Sequence, residues 1–345
     1  MKECDPYFLI SSTTESSGFR KDPKLNMDLV RRKINIALLS VISNVALLTM
    51  KLAVGFAIGS VAIISEGIHS GMDLLAALIA LFSVEKSSQP ADRGHPFGHG
   101  KVENISGTVE AALIFLAAGW IIYKAIHKLI HPTALEILGW GIGVMLFSAM
   151  VNTVVSRLLF KVGKETDSVA LLADAWHLRT DVYTSAGVMV SLILIWMGEA
   201  VFKGIHFDWL DPVAAIAVAL IIIKAAYDLT IKSARDLMDV RLPEEEEYWI
   251  HELIKSHGND IHGFHDLRTR KAGGFRFVEF HIKVDPEMTV EDSHRITEQI
   301  ADAIEKQFPG TSVTIHTEPC DGECEEKCID GCLLPVKGDR NSKAG

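Results

Sequence analysis

Two apolar stretches of this 345-residue chain carry the same short series of polar side chains, Glu66, His69 and Asp73 in one and Asp174, His177 and Asp181 in the other. In each, a histidine follows the acid by three positions and an aspartate follows the histidine by four, an arrangement that puts all three on one face of a helix. A carboxylate at the centre of a bilayer costs about 2.5 to 3.5 kcal/mol, so four facing lipid would cost on the order of 10 kcal/mol. They must face a partner or a water-filled site. Hydrogen bonding between membrane helices usually uses Ser, Thr or Asn, and a duplicated His and Asp pattern favours ligation instead. Brought together, His69, Asp73, His177 and Asp181 offer two imidazoles and two carboxylates, a tetrahedral set that suits Zn(II). Glu66 and Asp174 either orient the histidines from behind or line the water path. Metal requires neutral imidazole, so the site can exchange a cation for protons near neutral pH.

Three further groups have metal-binding residue types. Asp92, His95 and His99 lie close together in a turn-rich connection, which reads equally well as a ligand set and as an ordinary surface loop. His265, His281, His294 and His316 fall on different predicted elements of the last third, with Glu279 beside His281 and Glu318 beside His316; exposed histidines are common, and spacing alone supports a metal site there only weakly. Cys320, Cys324, Cys328 and Cys332 recur every fourth residue among acidic neighbours, while Cys4 stands alone. A metal-collecting tail is favoured over disulfides or inert thiols, although structural zinc usually takes its ligands from two separated knuckles.

The elements that must position these residues follow from hydropathy. The chain is 48% hydrophobic, and six stretches approach the roughly 20 apolar residues that cross a bilayer: 34–58, 61–82, 105–130, 135–160, 169–196 and 211–229. The first 33 residues contain no cleavable leader pattern. The basic cluster Arg20, Lys21, Lys24, Arg31, Arg32 and Lys33 places the N-terminus inside, and Arg157, Lys161 and Lys164 do the same for the fourth connection, with Lys124 and Lys128 breaking the rule outside. An even number of crossings returns the C-terminus to the same side. Residues 1–238 hold 21 basic and 21 acidic side chains, whereas 239–345 hold 13 and 23, so the net charge of -10 belongs to the last third. Nothing forms a basic stripe for nucleic acid, and no nucleotide-binding motif is present. From 242 onward the order is helix, strand, strand, helix, strand, with Val278, Phe280 and Ile282 alternating against Glu279, His281 and Lys283. That pattern predicts a small α+β domain with helices on one face of a sheet. The expected division is 1–33 as an N-terminal cytoplasmic segment, 34–238 as a six-helix membrane domain, 239–319 as the cytoplasmic α+β domain and 320–345 as a cysteine-containing tail.

These motifs resemble the cation diffusion facilitator family, and in particular its bacterial dimeric zinc and ferrous-iron exporters. The resemblance covers about residues 30–319 and rests on the paired His-x-x-x-Asp motifs, on the run from Gly94 to Lys101, and on His265, Asp266, Leu267, Arg268, Thr269 and Arg270. It implies a Y- or V-shaped homodimer with six membrane helices per subunit and a ferredoxin-like, metallochaperone-like cytoplasmic domain. Carried over residue by residue, it implies a transport site of His69, Asp73, His177 and Asp181 and a second site of Asp92, His95 and His99. It further implies a cytoplasmic site of His265, His281, His294, His316 and Glu318, and a charge interlock of Lys101 with Asp239 near the dimer axis. Many bacterial members carry Asp where His69 stands, and the version with two histidines is associated in the family with zinc over iron or manganese. Glu318 replaces the family's Asp, and the tail cysteines lie outside the shared region.

The reading is a secondary transporter, not an enzyme, that exports Zn(II) from the cytoplasm in exchange for protons, with His69 and His177 as proton carriers. It would reside in a bacterial inner membrane with both termini cytoplasmic. Cadmium, cobalt, nickel or ferrous iron as main substrate is the nearest alternative. A metal sensor that does not transport is the rival from another class. A membrane metalloenzyme is disfavoured because catalytic zinc keeps an open position. Glu110 is a further carboxylate in an apolar span with no partner visible in the sequence.

Overall fold

The computed structural model describes residues 23–58, 61–131, 139–201, 209–322 and 331–334. Six long helices come first: α1 (Pro23–Ile58), α2 (Val61–Ser87), α3 (Lys101–Ile130), α4 (Gly139–Glu165), α5 (Val169–Val201) and α6 (Leu210–Leu237). Five of them, all but α5, contain windows long and apolar enough to cross a membrane among the described residues; α5 runs for 33 residues and carries Asp174, His177, Arg179 and Asp181 in its first half. The helices overrun the apolar windows at several ends, because hydropathy marks the hydrocarbon layer while a helix continues to its stop signal. Past α4 and α6 that signal is a left-handed residue, Asp167 (φ 51°) and Asp239 (φ 55°). Residues 132–138, where the fourth span was expected to begin, lie outside the described set.

The bundle packs α1 on α2, α3 on α6 and α4 on α5, with α5 also touching α2 and α3. Small residues make the close approaches: Ala37, Ala170 and Ala175 in one buried cluster, Ala111, Ala118, Ala173 and Ala226 in the other. Toward the C-terminal end of α3, Trp120 and Tyr123 are exposed and Lys124 lies 5.1 Å from the Trp120 ring centroid.

The C-terminal domain contains α7 (Glu244–Ser256), β1 (Gly263–Ala272), β2 (Phe275–Val284), α8 (Val290–Gln307) and β3 (Thr311–Pro319). Four glutamates in the first turn of α7 suit the positive end of its dipole, and Thr289 caps α8 by accepting from the Asp292 amide at 3.1 Å. The sheet order is β1-β2-β3, with β1 and β2 antiparallel and β2 and β3 parallel across α8. Val278, Phe280 and Ile282 are buried with Ile296, Ile300 and Ile304 of α8, as the alternation requires.

The β1–β2 turn docks on the bundle. A Cβ on Gly100 would lie 2.3 Å from the Ala272 carbonyl, and one on Gly273 (φ 59°) would lie 2.6 Å from the Gly100 carbonyl, so both positions need glycine. The Gly273 amide donates to Asn104 Oδ1 at 2.8 Å, and Asn104 donates in turn to Asp236 Oδ2 at 2.9 Å. Just inside the bundle, Glu103 accepts from Lys33 (3.2 Å), Ser87 (2.9 Å) and Ser168 (2.5 Å), joining α1, α2, α3 and the start of α5.

Candidate metal centre

The repeated motifs meet inside the bundle. His69, Asp73 and Asp181 present ligand atoms within 4.8 Å of one another, and His177 Nε2 lies 3.2 Å from Asp73 Oδ1. His69 Nε2 is 3.8 Å from Asp181 Oδ1. Offsets of four residues on α2 and α5 point each His and Asp at the facing helix, so the pairs form across the helices and not within a motif. Asp73 and His177 are buried while His69 is half exposed. Asn152 of α4 donates to Asp181 Oδ2 at 3.4 Å, a contact the sequence reading missed because a lone Asn in an apolar helix has no spacing signal.

Glu66 and Asp174, expected to orient the histidines or to line the water path, have different surroundings. Glu66 lies 3.6 Å from Lys51 Nζ, which also donates to Ser70 at 2.7 Å; a lysine within apolar α1 needs an anion, and Glu66 supplies it. Both oxygens of Asp174 and Nδ1 of His177 are buried without a hydrogen bond among the described residues, so the His177 ring is held only through its Nε2 contact with Asp73. Glu110 is also buried and accepts from Ser106 at 3.2 Å.

Asp92, His95 and His99 of the α2–α3 connection form a second cluster within 4.8 Å. Asp92 Oδ1 accepts the His95 and Gly94 amides at 2.7 and 2.8 Å, and the His95 amide bond leads in holding its carboxyl below the usual range. Both ring nitrogens of the buried His99 lack a hydrogen bond, with Nε2 3.4 Å from Asp92 Oδ2. The turn's backbone uses Asp92 Oδ1 and leaves Oδ2 and both His99 nitrogens available as donors to an ion.

In the C-terminal domain His265, His281 and His316 stand opposite one another on three adjacent strands, with successive ring centroids 5.0 and 4.8 Å apart. Glu318 reaches His265 (3.2 Å), His281 (2.9 Å) and His316 (3.7 Å). A hydrogen bond from Lys283, against the opposing effect of burial, and a further one from His265 hold the Glu318 carboxyl down at about 2. Asp266, at a left-handed residue beside the β1 irregularity, adds a carboxylate 3.5 Å from His265 Nδ1. His294 is not brought to this group: it is exposed on α8 and lies 3.5 Å from Glu298. Cys320 Cα follows β3, whereas Cys332 bridges Gly263 on the outer edge of β1. Three strand spacings, roughly 14 Å, separate them, so the structure does not place these two thiols on one ion. Cys324 and Cys328 lie outside the described residues.

Lys101 Nζ lies 2.9 Å from Asp239 Oδ1, with Arg270 3.4 Å from the same oxygen. A second junction was invisible in the sequence: Asp167, between α4 and α5, pairs with Lys271 and, at 3.2 and 3.8 Å, with Arg276 and Lys232.

A sequence profile of the cation efflux transmembrane domain matches residues 37–238, and one of the cation efflux protein cytoplasmic domain matches 242–320. The chain belongs to the cation efflux family. This family member is 35% identical over 283 residues to an uncharacterized transporter of Synechocystis sp., covering 82% of this chain and 89% of that one. It is 31% identical over 275 residues to the cation-efflux pump FieF of Salmonella arizonae, covering 80% and 89%. Among solved structures, one of a putative zinc transporter, CzrB, is 39% identical over 23% of this chain and 96% of its own, with a TM-score of 0.22. The metal-bound C-terminal domain of the CzcD transporter from Thermotoga maritima is 31% identical, covering 24% and 100%, with a TM-score of 0.22. The cation efflux chain is thus an integral membrane transporter of metal cations, with a six-helix membrane region and a C-terminal α+β domain.

Proposed function

We propose that this transporter exports Zn(II) from the cytoplasm in exchange for protons, using His69, Asp73, His177 and Asp181 as the transport site. The observation that supports the reading is the crosswise meeting of the two motifs, with His69, Asp73 and Asp181 donor atoms within 4.8 Å of one another and His177 Nε2 3.2 Å from Asp73. Two nitrogen and two oxygen donors in a compact set suit zinc better than the harder cations that prefer all-oxygen shells. Because α2 and α5 each supply half of the donors, relative movement of the two helices opens the set to one side or the other. His69 and His177 carry the counter-transported protons, since each imidazole must be neutral when metal is bound.

Around that site the expected organisation is 1–33, 34–238, 239–319 and 320–345, as a homodimer in a bacterial inner membrane with both termini cytoplasmic. Asp92, His95 and His99 form a second metal site, and His265, His281, His316 and Glu318 a regulatory one. His294 is the remaining candidate ligand of that cytoplasmic site, Lys101 with Asp239 the interlock at the dimer axis, and metal capture by the tail cysteines an additional role. The names of FieF and of the putative zinc transporter CzrB agree with metal efflux.

The decisive experiment is zinc flux into proteoliposomes under an imposed pH gradient, with Asp181→Ala as control and cobalt, cadmium, nickel and ferrous iron in parallel. Flux that follows the gradient, prefers zinc and disappears in Asp181→Ala supports the reading. Tight zinc binding without flux would instead make the chain a sensor.

A further inference from the structure

Between α4, α5 and α6, toward the end that faces the C-terminal domain, the bundle leaves a groove of about 460 Å³. Its lining includes four cations, Arg157, Lys164, Arg179 and Lys232, against one acid, Asp228. Among the described residues only Lys232 of these four has an ion pair, 3.8 Å from Asp167. Phe160 and Trp176 form the wall, edge to face with centroids 5.3 Å apart, and the Arg179 guanidinium lies 4.7 Å from the Phe160 ring centroid. Arg179 stands ten residues beyond the start of α5 at Val169, and an arginine within a membrane helix is costly unless it reaches an anion or the interface. On the same helix α4, Phe147, Met150, Val154 and Leu158 are exposed at three- and four-residue spacing.

We infer that this groove binds the headgroup of an anionic phospholipid, with the phosphate on Arg157, Lys164, Arg179 and Lys232 and an acyl chain along Phe147, Met150, Val154 and Leu158. Basic pockets between membrane helices on the cytoplasmic side have this chemistry, and guanidinium forks match phosphate oxygens in pairs. The aromatic wall belongs at the headgroup level, where an apolar body and a charged neighbour are both satisfied. Charge complementarity and the apolar stripe of α4 together select a lipid over a free anion. Trp176 and Arg179 flank the transport-site turn at His177, so an occupied groove holds the helix that supplies half of that site. This last step rests on the transport reading, whereas the binding does not.

Native mass spectrometry of the full chain, exchanged from phosphatidylglycerol and phosphatidylcholine mixtures, separates the two. The wild type should retain phosphatidylglycerol in preference to phosphatidylcholine. Each basic contact is worth about fivefold, so Arg157→Gln with Lys164→Gln should weaken retention about 25-fold. Arg241→Gln, on the exposed surface of the C-terminal domain, should leave it unchanged. Unaltered retention in the double variant overturns the inference, and displacement of the lipid by excess inorganic phosphate assigns the groove to a free anion. A shift of the monomer–dimer balance with lipid retention intact assigns it to a second copy of the chain. None of these readouts requires zinc flux, so they stand or fall separately from the antiport assay.

Discussion

His177 Nε2 lies 3.2 Å from Asp73 Oδ1, so the histidine of the second motif is joined to the aspartate of the first. The complementary pair, His69 with Asp181, is looser at 3.8 Å. The first pair is within hydrogen-bond distance and the second is not. Asp73→Asn should remove both a ligand charge and the acceptor of the buried imidazole, and we expect zinc flux to fall at least 100-fold with loss of zinc binding to the bundle. Isothermal titration in detergent checks this; full-strength binding in the variant would remove Asp73 from the site.

The partly exposed His69 is the ligand whose replacement the packing tolerates best. His69→Asp converts the set to one imidazole and three carboxylates, a harder donor shell. The expected outcome is a fall in the zinc-to-iron flux ratio of roughly tenfold with total flux retained. Parallel zinc and ferrous-iron uptake measures it, and an unchanged ratio would show that selectivity lies outside these four donors.

Glu103 is almost fully buried and takes three donors from three parts of the bundle. Glu103→Ala leaves the buried Lys33 ammonium unpaired, which typically costs about 3 to 5 kcal/mol. We expect a lower thermal midpoint in detergent, partly recovered by the double variant in which Lys33→Met accompanies it. No recovery would mean that the lost hydrogen bonds to Ser87 and Ser168, and not the orphaned charge, carry the effect.

Burial works against the charge on Asp167, yet Lys271 beside it, followed by Lys232 and Arg276, outweighs that and holds the carboxyl below its usual range. A depressed carboxyl stabilises the folded state fully above its unfolded value of 3.8 and loses that contribution as pH falls through the lower folded value. The junction should therefore be indifferent to pH between 8 and 5 and loosen below about 4. Asp167→Asn should show the loosened junction at neutral pH, at a cost of about 1.5 to 3 kcal/mol. Hydrogen exchange at the first turn of α5 and in the β1–β2 turn follows it; identical exchange in variant and wild type at pH 7 would refute the coupling.

Periodicity made much of this molecule legible. Offsets of three and four announced the faces of α2 and α5 that meet, because a polar face in an apolar helix has few places to go. Alternation from Phe275 to Val284 announced the buried side of β2. What stayed hidden were partners fixed by packing across long stretches of chain. Lys51 claims Glu66, Asn152 reaches Asp181, and Asp167 gathers Lys271 and Arg276 from more than 100 residues away. His294 has the residue type of a ligand, but in this chain it is exposed on α8 beside Glu298, apart from the three strand histidines. Helix ends lay beyond the apolar stretches for a related reason, since the stop signals at Asp167 and Asp239 depend on a backbone conformation that composition does not encode.

The return of the chain to β1 has a consequence of its own. Phe264 donates its amide to the Gly331 carbonyl at 3.0 Å, and the Leu333 amide donates to the His262 carbonyl at 3.0 Å. These bonds occupy backbone groups along the outer rim of the sheet, where an uncovered strand recruits strands from other molecules. Gly331 and Leu333 thus cover part of that rim, and we expect a chain cut after Pro319 to leave those backbone groups open to neighbouring molecules.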